Sequence, residues 1–106
     1  MDKCGYVYIM ASAPMGTLYI GSTSDLVGRV FEHKNKIYPD SFTAKYNCNM
    51  LVYYEQFDSM ENMVTRERQL KEWQRNWKIR LIIKQNPNWV DLYPSVLEAF
   101  GYDGNV

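Results

Sequence analysis

Five side chains carry the chemistry this sequence has to offer: Tyr8, Tyr19, Arg29, His33 and Glu67. Phenols and an imidazole can pass protons, although a tyrosine, with an ordinary pKa of about 10, acts as a base only where positive charge assists it. A guanidinium presents a planar, permanently charged fork to an oxyanion. A carboxylate can hold a divalent cation. Tyr19 follows Tyr8 by eleven positions, Arg29 follows Tyr19 by ten, and His33 lies four beyond Arg29. Polar groups so concentrated beside a short hydrophobic stretch exceed what a core requires.

The elements that must position them read simply. GYVYIMA, residues 5 to 11, is rich in β-formers, SAPMG punctuates, and TLYIG, residues 17 to 21, is a second strand, so the pair predicts an antiparallel hairpin. A four-residue turn would pair residue 8 with 19 and bring the tyrosines together, whereas a five-residue turn would pair 8 with 20 and separate them unless a bulge intervenes. Ser22 to Asp25 offer N-caps for a helix over about 25 to 36. On it Leu26, Arg29, Val30 and His33 share one face, with Glu32 and Lys36 on a solvent face. Residues 37 to 49 lack periodicity and read as a loop of a length that is often functional. MLVYYEQF, 50 to 57, is an apolar third strand suited to a central position. Asp58 or Ser59 caps a helix through Trp73, and a break near Arg75 and Asn76 precedes a second helix that Asn86-Pro87 stops. Residues 87 to 94 read as a turn with a short helical piece, with Trp89, Leu92 and Tyr93 covering one end of the core. The order β-β-α-β-α-α predicts an α+β domain, a small three-stranded antiparallel or mixed sheet flanked by helices, over residues 1–98, with 99–106 a flexible tail.

Glu67 stands out on the first long helix. Met60, Met63, Val64, Leu70 and Trp77 define an apolar side, and Glu67 projects into it. A carboxylate there needs a partner. Two partners fit: a divalent cation held by one carboxylate, substrate phosphate and waters, or Lys71 at i, i+4.

Totals narrow the class. The 106 residues make one domain with room for one core, and no apolar run approaches the roughly 18 residues of a membrane span. Without a signal-peptide pattern, and with only Cys4 and Cys48 at no metal-like spacing, the reading is a cytoplasmic protein with reduced thiols. Twelve basic and twelve acidic residues cancel, which by itself argues against nucleic acid. Their distribution argues the other way: residues 61 to 84 hold seven basic groups against three acids, so a basic face survives.

These positions together resemble the GIY-YIG nuclease superfamily. YVY at 6 to 8 resembles the first motif and YIG at 19 to 21 the second. Arg29 and His33 resemble the arginine and histidine of the family's first helix, and Glu67 in TRERQLKEW resembles its metal-binding glutamate. The likeness spans about residues 5 to 93 and is strongest to small stand-alone bacterial members, through LVYYE and NPNWVDL. Tyr6 and Val7 depart from the glycine and isoleucine of the first motif, and the specificity domains of larger members have no counterpart here.

The resemblance implies a DNA endonuclease that hydrolyses phosphodiester bonds with one divalent cation, Mg²⁺ or Mn²⁺, bound by Glu67. It also implies structure selectivity and a link to DNA repair. Tyr8 is the first choice of base with Tyr19 orienting it, and the reverse assignment is equally consistent with the spacing. Arg29 would grip phosphate, and His33 would polarise a tyrosine or water or touch phosphate. Thr43, Lys45, Tyr46, Arg66 and Lys71 are the candidate DNA contacts, and the chain would act as a monomer or weak dimer. Trp73 and Trp77 suit helix packing better than base stacking. Two readings compete: a nucleic-acid-binding module with the same fold and little catalysis, and a partner-binding protein that uses exposed aromatics.

Overall fold

The computed structural model of the chain describes residues 5–102. Strand β1 (Gly5–Ala11) and strand β2 (Leu18–Thr23) form the hairpin, followed by α1 (Leu26–Lys34), a one-turn α2 (Phe42–Lys45) and β3 (Met50–Phe57). Helices α3 (Met60–Glu72), α4 (Arg75–Gln85) and α5 (Tyr93–Ala99) complete the chain. The sheet is wholly antiparallel in the order β2-β1-β3, so the central strand is β1 and not β3. The expected loop at 37 to 49 contains α2, whose N-cap Ser41 accepts from the Ala44 N–H. The short helical piece looked for at 87 to 94 is instead α5, which begins at Tyr93.

Period-two alternation on β1 feeds two separate cores. Val7, Ile9 and Ala11 join Ile20, Val52, Met63, Leu70, Ile79, Ile82 and Trp89 in the layer under α3 and α4. Tyr8 and Met10 join Leu26, Val27, Val30, Leu51 and Val96 in the layer under α1 and α5. A bulge between Ile9 and Met10 in the β1–β3 register lets Val52 and Tyr53 both reach the first layer. The apolar side proposed for α3 is narrower than its sequence suggests: Met63 and Leu70 are buried, while Met60, Val64 and, on α4, Trp77 are exposed. Trp73 packs partly against the core and meets Trp77 edge-on. The break between α3 and α4 falls at Trp73 and Gln74, both in extended conformation.

The apolar run of β3 has a different cause from a central position. Its outer edge is covered by the segment after α4. The Leu92 N–H donates to the Leu51 carbonyl at 2.7 Å, the Leu51 N–H donates to Asp91 Oδ1 at 3.1 Å, and Asn86 Nδ2 donates to the Val52 carbonyl at 3.2 Å. An edge strand sealed in this way can be as apolar as an internal one. Trp89 is buried within this segment, and Leu92 and Tyr93 pack on the second layer. Where a tail was expected from residue 99, Ala99 belongs to α5 and the Phe100 ring lies 5.7 Å from that of Tyr6. Residues 103–106 and Cys4 lie outside the described residues, and Cys48 is buried with a free thiol.

Asn86 also binds both the N–H and the carbonyl of Val90, at 2.9 and 2.8 Å. Asn86→Ala strands the buried Val52 carbonyl and the part-buried Val90 groups and should cost roughly 1–3 kcal/mol in urea unfolding. A loss within a few tenths of a kcal/mol of zero would mean that the edge of β3 is held by packing alone.

Candidate active site

The hairpin turn is six residues long, Ser12 to Thr17, closed by Ser12 N–H to the Thr17 carbonyl at 3.0 Å. It pairs Tyr8 with Gly21 and Met10 with Tyr19, a register that neither a four- nor a five-residue turn gives. The parity nevertheless places both tyrosines on one face, with ring centroids 6.3 Å apart. Arg75 of α4 holds the turn, its Nη2 donating to the Met15 and Gly16 carbonyls at 2.6 and 2.7 Å. Gly21 is needed for a steric reason. A Cβ at this position would stand 2.5 Å from the Tyr8 hydroxyl and 2.9 Å from the Tyr19 ring.

Helix α1 supplies the next groups. Asp25 is its N-cap, accepting from the Gly28 N–H, and the helix stops at Lys34, so Lys36 falls beyond it. His33 is buried beside both tyrosines, its ring centroid 5.7 Å from Tyr8 and 5.4 Å from Tyr19. Its Nε2 lies 2.8 Å from the Tyr8 hydroxyl and its Nδ1 2.8 Å from Thr43 Oγ1. Burial, followed by the charge of Arg29, pushes the imidazole down to about 4, so it is neutral at pH 7. Burial likewise raises Tyr8 well above its ordinary value, so that hydroxyl is a phenol at rest. Tyr8 is fully covered, while Tyr19 is partly exposed.

Arg29 does not stand alone: Glu32, expected on a solvent face, is about a third exposed and pairs with it. The Arg29 guanidinium donates to Glu32 Oε1 at 2.8 Å, and its charge acts on both tyrosines. Its side chain keeps about a third of its surface in solvent, enough to reach an anion.

Glu67 arrives from the other side of the sheet. Met63, Glu67 and Leu70 share a face of α3, and the Glu67 carboxylate accepts from Ser22 Oγ at 2.7 Å and pairs with Lys71 Nζ at 2.9 Å. Burial would raise this carboxyl, but the Lys71 and Ser22 hydrogen bonds outweigh it and hold the pKa below the ordinary value. Ser22 lies on the face of β2 opposite Tyr19. The two halves therefore meet around the free edge of β2, and the Glu67 charge is felt at Tyr8. Ser22 was a capping candidate in the sequence. The signal for its other role was position, one residue past YIG on a strand that extends to Thr23.

No cluster of three or more metal-ligating side chains occurs among the described residues. A single, partly exposed carboxylate beside one hydroxyl fits a cation that keeps most of its waters and takes phosphate oxygens, as Mg²⁺ commonly does.

The candidate DNA contacts divide. Lys45, Tyr46 and Lys71 are exposed. Thr43 is 2% exposed and turned inward to His33, so it does not reach a DNA backbone. Arg66 is turned away as well, donating to Glu55 through Nε and Nη2 at 3.0 and 2.9 Å and lying 5.2 Å from the Trp73 ring. Two residues not singled out in the sequence lie beside the exposed ones. Phe42 stacks between Tyr19 and Tyr46, at 6.0 and 4.6 Å, and Lys78 joins Lys71 along a cleft of about 280 Å³ lined also by Leu18, Tyr19, Ile20 and Phe42. Neither had a signal, because the loop showed no period and Lys78 read as one of many helix lysines.

A family model described as the GIY-YIG catalytic domain matches residues 4–80. A UPF0213 protein of Syntrophus aciditrophicus is 38% identical over 82 residues, covering 77% of this chain and 92% of the relative. UPF0213 proteins of Pediococcus pentosaceus and Staphylococcus saprophyticus are 32% and 34% identical, covering 82% and 77% of this chain and 90% and 96% of theirs. No solved structure gives a significant match.

His33 makes stability depend on pH with a definite sign. Unfolded, it titrates near 6.5, and folded near 4. Between these values the unfolded chain binds a proton that the folded chain refuses, so stability is lost as pH falls from 6.5 towards 4. Denaturant unfolding at about pH 7.5 and about pH 5 should show a larger loss for the parent than for His33→Gln. Equal losses would mean that the imidazole is not held neutral.

Proposed function

The chain belongs to the GIY-YIG family of nucleases, and on that footing we propose that it is a divalent-metal-dependent DNA endonuclease whose proton acceptor is Tyr8. The observation that carries this reading is the 2.8 Å hydrogen bond between the Tyr8 hydroxyl and His33 Nε2, made beneath a guanidinium. A phenol this hard to ionise does not serve as a resting phenolate. It can instead take the proton of an attacking water as it passes its own to a neutral imidazole. Because Tyr8 is covered at rest, water reaches its oxygen past Tyr19, which orients that water. Phosphate bound at Arg29 offsets the positive charge that helps depress His33, so the imidazole becomes a better acceptor when substrate is present.

Arg29 grips two phosphate oxygens and stabilises the charge that develops as water adds to phosphorus. Glu67 would hold Mg²⁺ or Mn²⁺, which when bound stabilises the departing 3′ oxygen as a Lewis acid. Lys71 then turns from Glu67 towards phosphate, with Lys45 and Lys78 nearby. The Phe42 and Tyr46 rings beside Tyr19 give an unpaired base a surface to stack on. That favours DNA with unpaired or branched character, and a part in DNA maintenance. The competing reading, a DNA-binding module with little catalysis, is favoured by one observation: Glu67 already has a cationic partner in Lys71.

Cleavage of plasmid, flap and branched DNA, with Mg²⁺ or Mn²⁺ and with chelator, tests the proposal. The parent should cut only with metal, and Glu67→Gln should abolish cutting while DNA affinity, read by fluorescence anisotropy, stays within a few-fold. Cutting by Glu67→Gln at the parent rate would remove that carboxylate from the reaction. Parent chain that binds these DNAs and cuts none of them would favour the binding module. Arg29→Ala should lose on the order of 10²-fold in kcat, and an unchanged kcat would exclude it from the site.

A further inference from the structure

Behind the Tyr8–His33 pair the hydrogen-bonded chain continues inward instead of ending. His33 Nδ1 meets Thr43 Oγ1 at 2.8 Å, and Thr43 Oγ1 meets Ser41 Oγ at 3.2 Å. Ser41 Oγ in turn accepts the Ala44 N–H at 3.3 Å as the N-cap of α2. Tyr8, His33 and Thr43 are all buried, so water does not complete their hydrogen bonding. We propose that Thr43 is a positioning residue: its hydroxyl accepts the Nδ1–H of His33 and thereby fixes the imidazole in the tautomer whose Nε2 is free to receive the Tyr8 proton.

Counting donors and acceptors gives the chain its direction. The Tyr8 O–H has one acceptor within reach, His33 Nε2, because Arg29 offers only donors. Nε2 must therefore be bare, and the single proton of a neutral imidazole sits on Nδ1, aimed at Thr43. The Thr43 hydroxyl passes its own proton to Ser41 Oγ, which has lone pairs for both Thr43 and the Ala44 N–H, and the partly exposed Ser41 donates outward. Every buried proton in the row then has an acceptor. In the opposite direction Nε2–H donates to Tyr8, Thr43 donates to Nδ1, and the Tyr8 O–H is left buried without an acceptor, an arrangement that proteins avoid. The helix cap thus sets the polarity of the row, and Thr43 transmits it to the histidine. Its consequence for catalysis rests on the nuclease reading above; the tautomer itself does not.

The chain contains a single histidine, so ¹⁵N-histidine labelling of the full protein gives one imidazole to observe. Long-range ¹H–¹⁵N correlation near neutral pH should show a protonated Nδ1 and a bare Nε2. Thr43→Ser, which keeps the hydroxyl, should retain that pattern. Thr43→Val, similar in shape but without a hydroxyl, should move the imidazole towards the Nε2–H form and lower kcat on the order of 10²-fold with KM within a few-fold, while Thr43→Ser stays near parent kcat. An Nε2–H imidazole in the parent, or an unchanged Nδ1–H pattern and kcat in Thr43→Val, would overturn the inference. Should Thr43→Val fail to fold, the parent spectrum and that of Thr43→Ser still decide the tautomer. If the parent cuts no DNA yet shows the Thr43-dependent tautomer, the nuclease reading fails and the positioning role stands. If it cuts DNA and the tautomer ignores Thr43, the reverse holds.

Discussion

A phenol sent from a central strand into a dry layer needs a partner, and the Tyr8–His33 hydrogen bond meets that need. Strand β1 is buried on both faces, so every alternate side chain enters one of two cores. Val7, Ile9 and Ala11 ask only for space. Tyr8 asks for an acceptor as well, and its position then dictates much around it: a glycine at 21 to admit the hydroxyl, a histidine on the buried face of α1, and a short helix placed so that Thr43 closes the row. One polar atom in the second core is thus tied to four elements of the fold.

The site is divided by the sheet and rejoined around its edge. Tyr8, Tyr19, Arg29 and His33 lie on the α1 side, while Ser22 and Glu67 lie on the α3 side. Only an edge strand permits such a division, because an internal β2 would have a neighbour where the two halves meet. The pairing order β2-β1-β3, with β2 at the edge, is thus what the proposed site needs. Arg75 holding the hairpin turn links the α3–α4 layer to the strand that carries Tyr19, which limits how far the two halves can slide.

Much of this is legible in the residues, for reasons that differ by element. The hairpin, α1, α3 and the α+β class follow from β-branched and aromatic runs, turn formers and 3.6-residue spacing, all of which act locally. The parity of Tyr8 and Tyr19 stays open in the sequence because loop length cannot be read from SAPMG alone; Thr17 joins the turn, not the strand. The sequence points to the wrong central strand because an apolar run reports burial without saying what does the burying, and residues 86 to 92 cover β3 from outside the sheet. Thr43 and Arg66 read as DNA contacts by residue type, yet their hydroxyl and guanidinium are consumed by His33 and Glu55, partners ten and eleven positions away in sequence. Glu67 draws on more than its position on the helix suggests: the carboxylate does pair with Lys71, and it also reaches Ser22 on β2.

The covered edge of β3 also bears on how the chain behaves before it is complete. All three strands lie within residues 5 to 57, but Asn86, Asp91 and Leu92, the groups that satisfy the outer backbone, come well after them in the sequence. Until they dock, Leu51 and Val52 form an open, apolar strand edge, the kind of surface on which a second chain adds a strand. What closes that edge to a second chain is the covering by residues 86 to 92 and not the composition of β3 itself.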